Sequence, residues 1–295
     1  MRLYLLLLSL HLLLAATSAL AAPPSWNQTI WDPAKGILLQ ADMIDELAAE
    51  PAIFVLGEEH YNPPVQEAEA WLLDRIARKV PDQGTLIFGW EFLNTVDRLP
   101  IVESWTHYQK GVLSTEELLQ KFFPAGPAST EYAPVLEAAR SHHVTLIPTN
   151  LSRTQKSPVT REGIEALDPA LLPPDFAPGG PLYFERFQEA MGSHPLPYPI
   201  ENYFASQSLT DEVMATELLK IPGPASRLLI TGAFHGDYRD GVVHSLKRRV
   251  HDWPVIYIRI VDAKGMTVGE LREFMVHPRY GAVADLVYVV NEPQP

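Results

Sequence analysis

Near-continuous apolar runs of strand length alternate with helix-patterned stretches along most of this chain. The runs are Ala52–Leu56, Thr85–Trp90, Val144–Pro148, Arg227–Thr231 and Pro254–Val261. Between them, Val65, Ala68, Leu72, Ile76 and Val80 form one stripe over Pro64–Val80. Tyr132, Val135, Leu136 and Ala139 form another over Thr130–His142. Thr95–Phe123 reads as mostly helical, with a capped start at Ser114-Thr115-Glu116-Glu117. Glu201–Ile221 is the longest clean helix, with Tyr203, Phe204, Gln207, Asp211, Met214 and Leu218 on neighbouring rows; Gly241–Val250 is a further helix. Buried strands alternating with helices predict an α/β fold with a central, largely parallel sheet flanked by helices.

The remaining segments read less regularly. Asn27–Leu39 is an irregular lead-in, Gln40–Ala49 a helix, Pro81-Asp82-Gln83-Gly84 a turn, and Val283–Val290 a last strand at an edge. Residues 168–199 hold eight of the chain's 27 prolines, so regular structure there is intermittent, with a short helix at Tyr183–Met191. This Pro-rich insertion precedes the helix at 201–221. It reads either as a surface excursion or as a ligand-covering segment.

Met1–Ala22 has the pattern of a secretory signal: Arg2, an apolar stretch Leu3–Ala16, and Ala19-Leu20-Ala21 as a cleavage site. The apolar stretch is short for a membrane span, and Pro23-Pro24 follow it. The expected mature chain is a single α/β domain over 23–295, with its core at about 52–261. Export places it in the periplasm or at the outer membrane. With 36 acidic against 23 basic residues the net charge is −13, which argues against nucleic acid as a partner. The chain has no cysteine, which removes thiolate metal sites, thiol catalysis and a lipid-modified N-terminal cysteine.

Two strand ends share one spacing: Gly57-Glu58-Glu59-His60 and Gly232-Ala233-Phe234-His235. Glycine permits a tight turn and leaves room above the strand for the histidine. Glu91 ends a third run, in Gly89-Trp90-Glu91-Phe92. Open α/β sheets bind ligands at the carboxyl ends of their strands. If these strands are neighbours, Glu58, His60, Glu91 and His235 suit a divalent transition metal. Glu59, His60, Glu91 and His235 equally suit acid–base catalysis, with a carboxylate orienting a histidine. Strand-end histidines also arise with no function. Asp237, Arg239 and Arg153 follow strand ends and can meet a ligand carboxylate, although a plain surface salt bridge is their default role. His142-His143 reads as a helix C-terminal feature. There is no phosphate loop, dinucleotide loop, His-Glu-x-x-His or nucleophile elbow.

Gly57-Glu58-Glu59-His60-Tyr61-Asn62-Pro63, Trp90-Glu91-Phe92, Tyr132-Ala133-Pro134, Gln207 to Met214-Ala215 and Gly232-Ala233-Phe234-His235, in that order, resemble the ChaN-like haem-binding family. That family sits with the Tiki proteases and erythromycin esterases in a wider superfamily. The resemblance implies an exported protein of haem or iron uptake, binding haem through tyrosine and histidine in a homodimer, with outer-membrane uptake components as partners. His60, Tyr61, His235 and Tyr238 are the haem-ligand candidates, the two tyrosines because each lies beside a motif histidine. Three features depart from the family: the missing lipoprotein cysteine, the bulky Phe234 before His235, and the lack of one clearly matching tyrosine. The alternative that the wider superfamily implies is a metal-dependent hydrolase using His60, His235 and Glu58, Glu59 or Glu91. A third is a purely structural or partner-binding role.

Overall fold

A computed structural model describes residues 26–80, 86–124, 129–192 and 195–294. The signal pattern at 1–22 and the turn at 81–84 lie outside the described residues. The chain opens with strands β1 (Thr29–Asp32) and β2 (Ile37–Leu39) and helix α1 (Asp42–Leu47). β3 (Ile53–Glu58), α2 (Pro63–Ala77) and β4 (Ile87–Asn94) follow. Then come α3 (Arg98–Gln109), α4 (Thr115–Phe122), α5 (Ala133–Ser141) and β5 (Thr145–Asn150). Helices α6 (Arg153–Glu162), α7 (Pro181–Met191) and α8 (Ile200–Leu219) lead to β6 (Arg227–Gly232). The chain closes with α9 (Gly241–Arg249), β7 (Val255–Asp262), α10 (Val268–Met275), a short hairpin of β8 (Val276–His277) and β9 (Gly281–Ala282), and β10 (Leu286–Val290).

The main sheet runs β2-β1-β10-β7-β3-β6-β4-β5. From β10 to β5 every pairing is parallel; β1 and β2 add an antiparallel edge. Each central strand buries both faces, which is why its sequence is a run rather than an alternation. Phe54 and Leu56 of β3 enter one layer with Leu72 of α2 and Leu136 of α5. Ile53 and Val55 enter the other with Leu218 of α8 and Leu246 of α9. The period of two in a strand thus feeds two separate cores.

Two segments differ from expectation, and a third, unassigned from sequence, is helical. The lead-in forms the β1–β2 hairpin, turned by Gly36 at φ +66°. β10 lies between β1 and β7 rather than at an edge, because that hairpin covers it. Arg153–Glu162 is helical although Pro158 lies inside it. Its start is fixed by a reciprocal cap, Ser152 Oγ accepting from Gln155 N and Gln155 Oε1 from Ser152 N.

Candidate functional site

Strand order decides what the motifs do together. β6 lies between β3 and β4, with Glu58 opposite Gly232 and Trp90 opposite Ile230. The two histidine motifs and Glu91 therefore leave one sheet edge side by side. Both motif glycines are required by close approach. A Cβ at Gly232 would lie 2.9 Å from His60 Nε2, so the glycine lets that imidazole lie over the end of β6. A Cβ at Gly57 would lie 2.1 Å from the hydroxyl of buried Tyr257.

His235 is buried between two carboxylates. Its Nδ1 lies 2.6 Å from Asp211 Oδ1 and its Nε2 3.2 Å from Glu91 Oε1. Glu91 Oε2 also accepts from Thr231 Oγ1 and from the Gly232 backbone N–H, both at 2.7 Å. Burial opposes charge on His235, but Glu91 and Asp211 outweigh it and hold its pKa at about 10. Burial also opposes charge on Glu91; His235 and the two donors hold it well below the carboxylate range. For Asp211 burial wins and its pKa rises. His235 is thus an imidazolium at neutral pH, with both ring N–H groups committed.

His60 is arranged differently. Its Nδ1 lies 2.9 Å from Glu58 Oε1, and its side chain is 37% exposed. Glu58 is itself fixed: Gln66 Nε2 donates to Oε2 at 2.6 Å and the Tyr132 hydroxyl at 3.1 Å. Behind it lies Glu69, fully buried, whose oxygens find no donor. Burial and the neighbouring Glu58 push the Glu69 pKa well up. The His60 pKa is raised: burial lowers it, and Glu58 and Glu91 more than offset that. Nε2 has no hydrogen-bond partner among the described residues. A carboxylate behind one ring nitrogen and an open second nitrogen is how proteins orient a ligating or proton-transferring histidine.

The other predicted residues divide. Tyr61 is 52% exposed, at φ +58°, beside His60. Phe92 packs against both, with ring centroids 4.8 Å from His60 and 5.8 Å from Tyr61. Burial, Glu58 and Glu131 raise the Tyr61 pKa. Tyr238 goes elsewhere: its ring lies 4.4 Å from the Arg186 guanidinium and 5.3 Å from Tyr280. Glu59 turns toward Arg259, 3.3 Å away. Asp237 accepts from the Tyr257 hydroxyl at 2.7 Å, and Arg239 pairs with Asp285 at 2.6 Å. Arg153 lines a cavity that also contains Glu91 and Phe92. Bulky Phe234 packs beside Tyr183 and Phe187, away from His60.

Asp211, Tyr132, Gln66 and Lys156 were not singled out from sequence as site residues. Asp211 had a signal: it lies four residues after Gln207, on rows of α8 with the apolar Phe204, Met214 and Leu218, where a buried carboxylate needs a partner. Among the described residues, no group of three or more His, Asp or Glu side chains converges to hold a metal ion. Glu58 and Glu91 spend their oxygens on histidines and other donors, so the four-residue metal set gains no geometric support. The donor types on the open face do fit haem iron: the Tyr61 phenol and His60 Nε2 on an aromatic surface.

Fold and site together define an α/β protein with two histidine–carboxylate units at the carboxyl edge of a parallel sheet. The chain belongs to the haem-binding uptake family of the Tiki superfamily that includes ChaN, whose family model matches residues 43–246. Among solved structures, ChaN of Campylobacter jejuni, described by its cofacial haem binding, superposes with a TM-score of 0.65 at 14% identity. That match covers 88% of this chain and 95% of ChaN. The type III effector HopBA1 superposes with a TM-score of 0.47 at 13% identity, over 92% of this chain and 100% of its own. Identities this low speak to fold alone. No curated protein sequence matches the chain.

Proposed function

We propose that this chain is an exported haem-binding protein of haem or iron uptake, holding haem on the face formed by Tyr61, His60 and Phe92. One observation carries the reading within its family: two donors suited to haem iron lie together, open, on an aromatic surface at the strand ends. Tyr61 would offer the haem iron a phenolate oxygen, and His60 Nε2, its ring oriented by Glu58, would be the second donor on that face. His235 and Tyr238 take no part as ligands, since the first is an imidazolium tied at both nitrogens and the second is packed on Arg186. Haem is cargo here, and ChaN of Campylobacter jejuni offers cofacial binding as the precedent. Val96, Leu99 and Val102, exposed around the start of α3, supply an apolar surface for a second copy, so that haem lies in a homodimer. In this reading residues 1–22 are removed on export, 23–295 fold as one domain, and outer-membrane uptake components receive the haem. Titrating the purified chain with haemin tests it. A saturable, stoichiometric Soret shift is expected; no saturable change refutes haem binding.

The oriented, open His60 also favours a second reading, hydrolysis with His60 as general base. Turnover of ester or peptide substrates that disappears in His60→Ala, in a chain without a Soret response, would replace the first reading by the second.

A further inference from the structure

A cavity of about 660 Å³ opens beside the histidine site, between α6, α8 and the carboxyl ends of β4 and β5. Its lining includes Glu91 and Phe92, and three cations: Arg153, Lys156 and Arg161. Many other arginines pair with carboxylates, among them Arg75, Arg186, Arg239, Arg248 and Arg279, and Arg227 is held by backbone carbonyls. The Arg153 and Arg161 side chains make no ion pair or hydrogen bond among the described residues. Lys156 Nζ donates to neutral acceptors only, Asn150 Oδ1 and Thr210 Oγ1, each at 3.0 Å. In a chain of net charge −13, this cavity gathers two unpaired guanidiniums and an ammonium whose hydrogen-bond partners are neutral, with the Glu91 and Asp211 carboxylates acting on the ammonium from a distance. Guanidinium forks match planar carboxylates. Tyr198 and Tyr203, ring centroids 6.3 Å apart, join Phe92 as aromatic walls for a flat body. Tyr198 comes from the Pro-rich insertion, which thereby gains a role in covering a ligand.

We propose that this cavity binds the carboxylates of a planar conjugated ligand, with Arg153 and Arg161 as the carboxylate-binding residues. Two sources carry that chemistry: the propionates of a porphyrin on the neighbouring Tyr61–His60 face, or a separate aromatic acid. Only the first rests on the haem reading above.

The test uses the full chain and the R153Q/R161Q double variant, whose exposed side chains are not part of the core. Haemin and haemin dimethyl ester are titrated by the Soret band, and benzene-1,4-dicarboxylate and inorganic phosphate by calorimetry. With the porphyrin source, the wild type binds haemin about tenfold or more tighter than its ester, and the double variant loses that preference. With the aromatic-acid source, the dicarboxylate binds saturably to the wild type and about tenfold or more weaker to the variant, whether or not haem binds. Lys156→Met checks either result and weakens the same ligand. Equal binding of haemin and ester by both proteins, with no dicarboxylate uptake, overturns the proposal and leaves the haem reading standing. Phosphate binding as tight as dicarboxylate binding overturns the carboxylate assignment. An absent Soret change refutes haem binding alone.

Discussion

The two Gly-x-x-His motifs are alike in sequence and opposite in physical state. His235 is buried, charged and tied to carboxylates at both ring nitrogens. His60 is more than one-third exposed, tied at one nitrogen and open at the other. The difference comes from what the neighbouring elements add. The long helix α8 brings Asp211 to His235, and β4 brings Glu91. Beside His60 the chain adds the rings of Phe92 and Tyr61 and no carboxylate at Nε2 among the described residues. A repeated motif therefore gives one buried histidine paired at both nitrogens and one half-exposed histidine paired at one, rather than two equivalent sites.

The largest test of that contrast is deletion of each imidazole. His235→Ala leaves Asp211 and Glu91 buried without a cation and is expected to cost about 3–5 kcal/mol in chemical denaturation. His60→Ala removes a partly exposed ring and is expected to cost less than about 1 kcal/mol. Similar losses for both would break the distinction. The motif glycines sharpen it. Gly57→Ala drives a Cβ into the Tyr257 ring and is expected to cost about 3 kcal/mol. Gly232→Ala meets the edge of a less confined imidazole and is expected to cost about 1 kcal/mol while displacing His60.

Haem affinity reports on the open histidine. Glu58→Gln weakens the orientation of His60 and is expected to lower haemin affinity about 10–100-fold. Unchanged affinity would remove His60 from the haem face. The smallest effect is in pH dependence. His235 titrates at about 10 in the fold against 6.5 ordinarily, so its contribution is complete below 6.5 and is lost as pH rises toward 10. Glu91 is depressed from 4.5, so its contribution is complete above 4.5 and is lost as pH falls through its folded value. The Tm advantage of the wild type over His235→Gln is therefore widest between these limits and narrows by about a few degrees above them. A gap that widens toward pH 10 would contradict a charged His235.

The sheet was legible because strands buried on both faces write themselves as apolar runs. Helix α6 was not, because it buries one apolar residue, Val159, and its starting signal is a polar cap. The β1–β2 hairpin was missed because its strands are three or four residues long. Within the site, His60, Glu91 and His235 were readable from their places at strand ends. Asp211 was hidden in a helix distant in sequence, and its partnership exists only once α8 packs on the sheet. Glu58 and Glu59 are adjacent in sequence, but Glu58 is held behind His60 while Glu59 faces Arg259. The charge state of His235 follows from burial and carboxylate geometry that composition does not carry.

The central claim is that haem, when bound, is held at the Tyr61–His60 end of the edge and not at the His235–Tyr238 end. Resonance Raman spectra of the haem-loaded chain, Tyr61→Phe and Tyr238→Phe test it most directly. The expected result is an iron–phenolate band present in the wild type, lost in Tyr61→Phe and kept in Tyr238→Phe. A band that survives Tyr61→Phe and vanishes in Tyr238→Phe would contradict it.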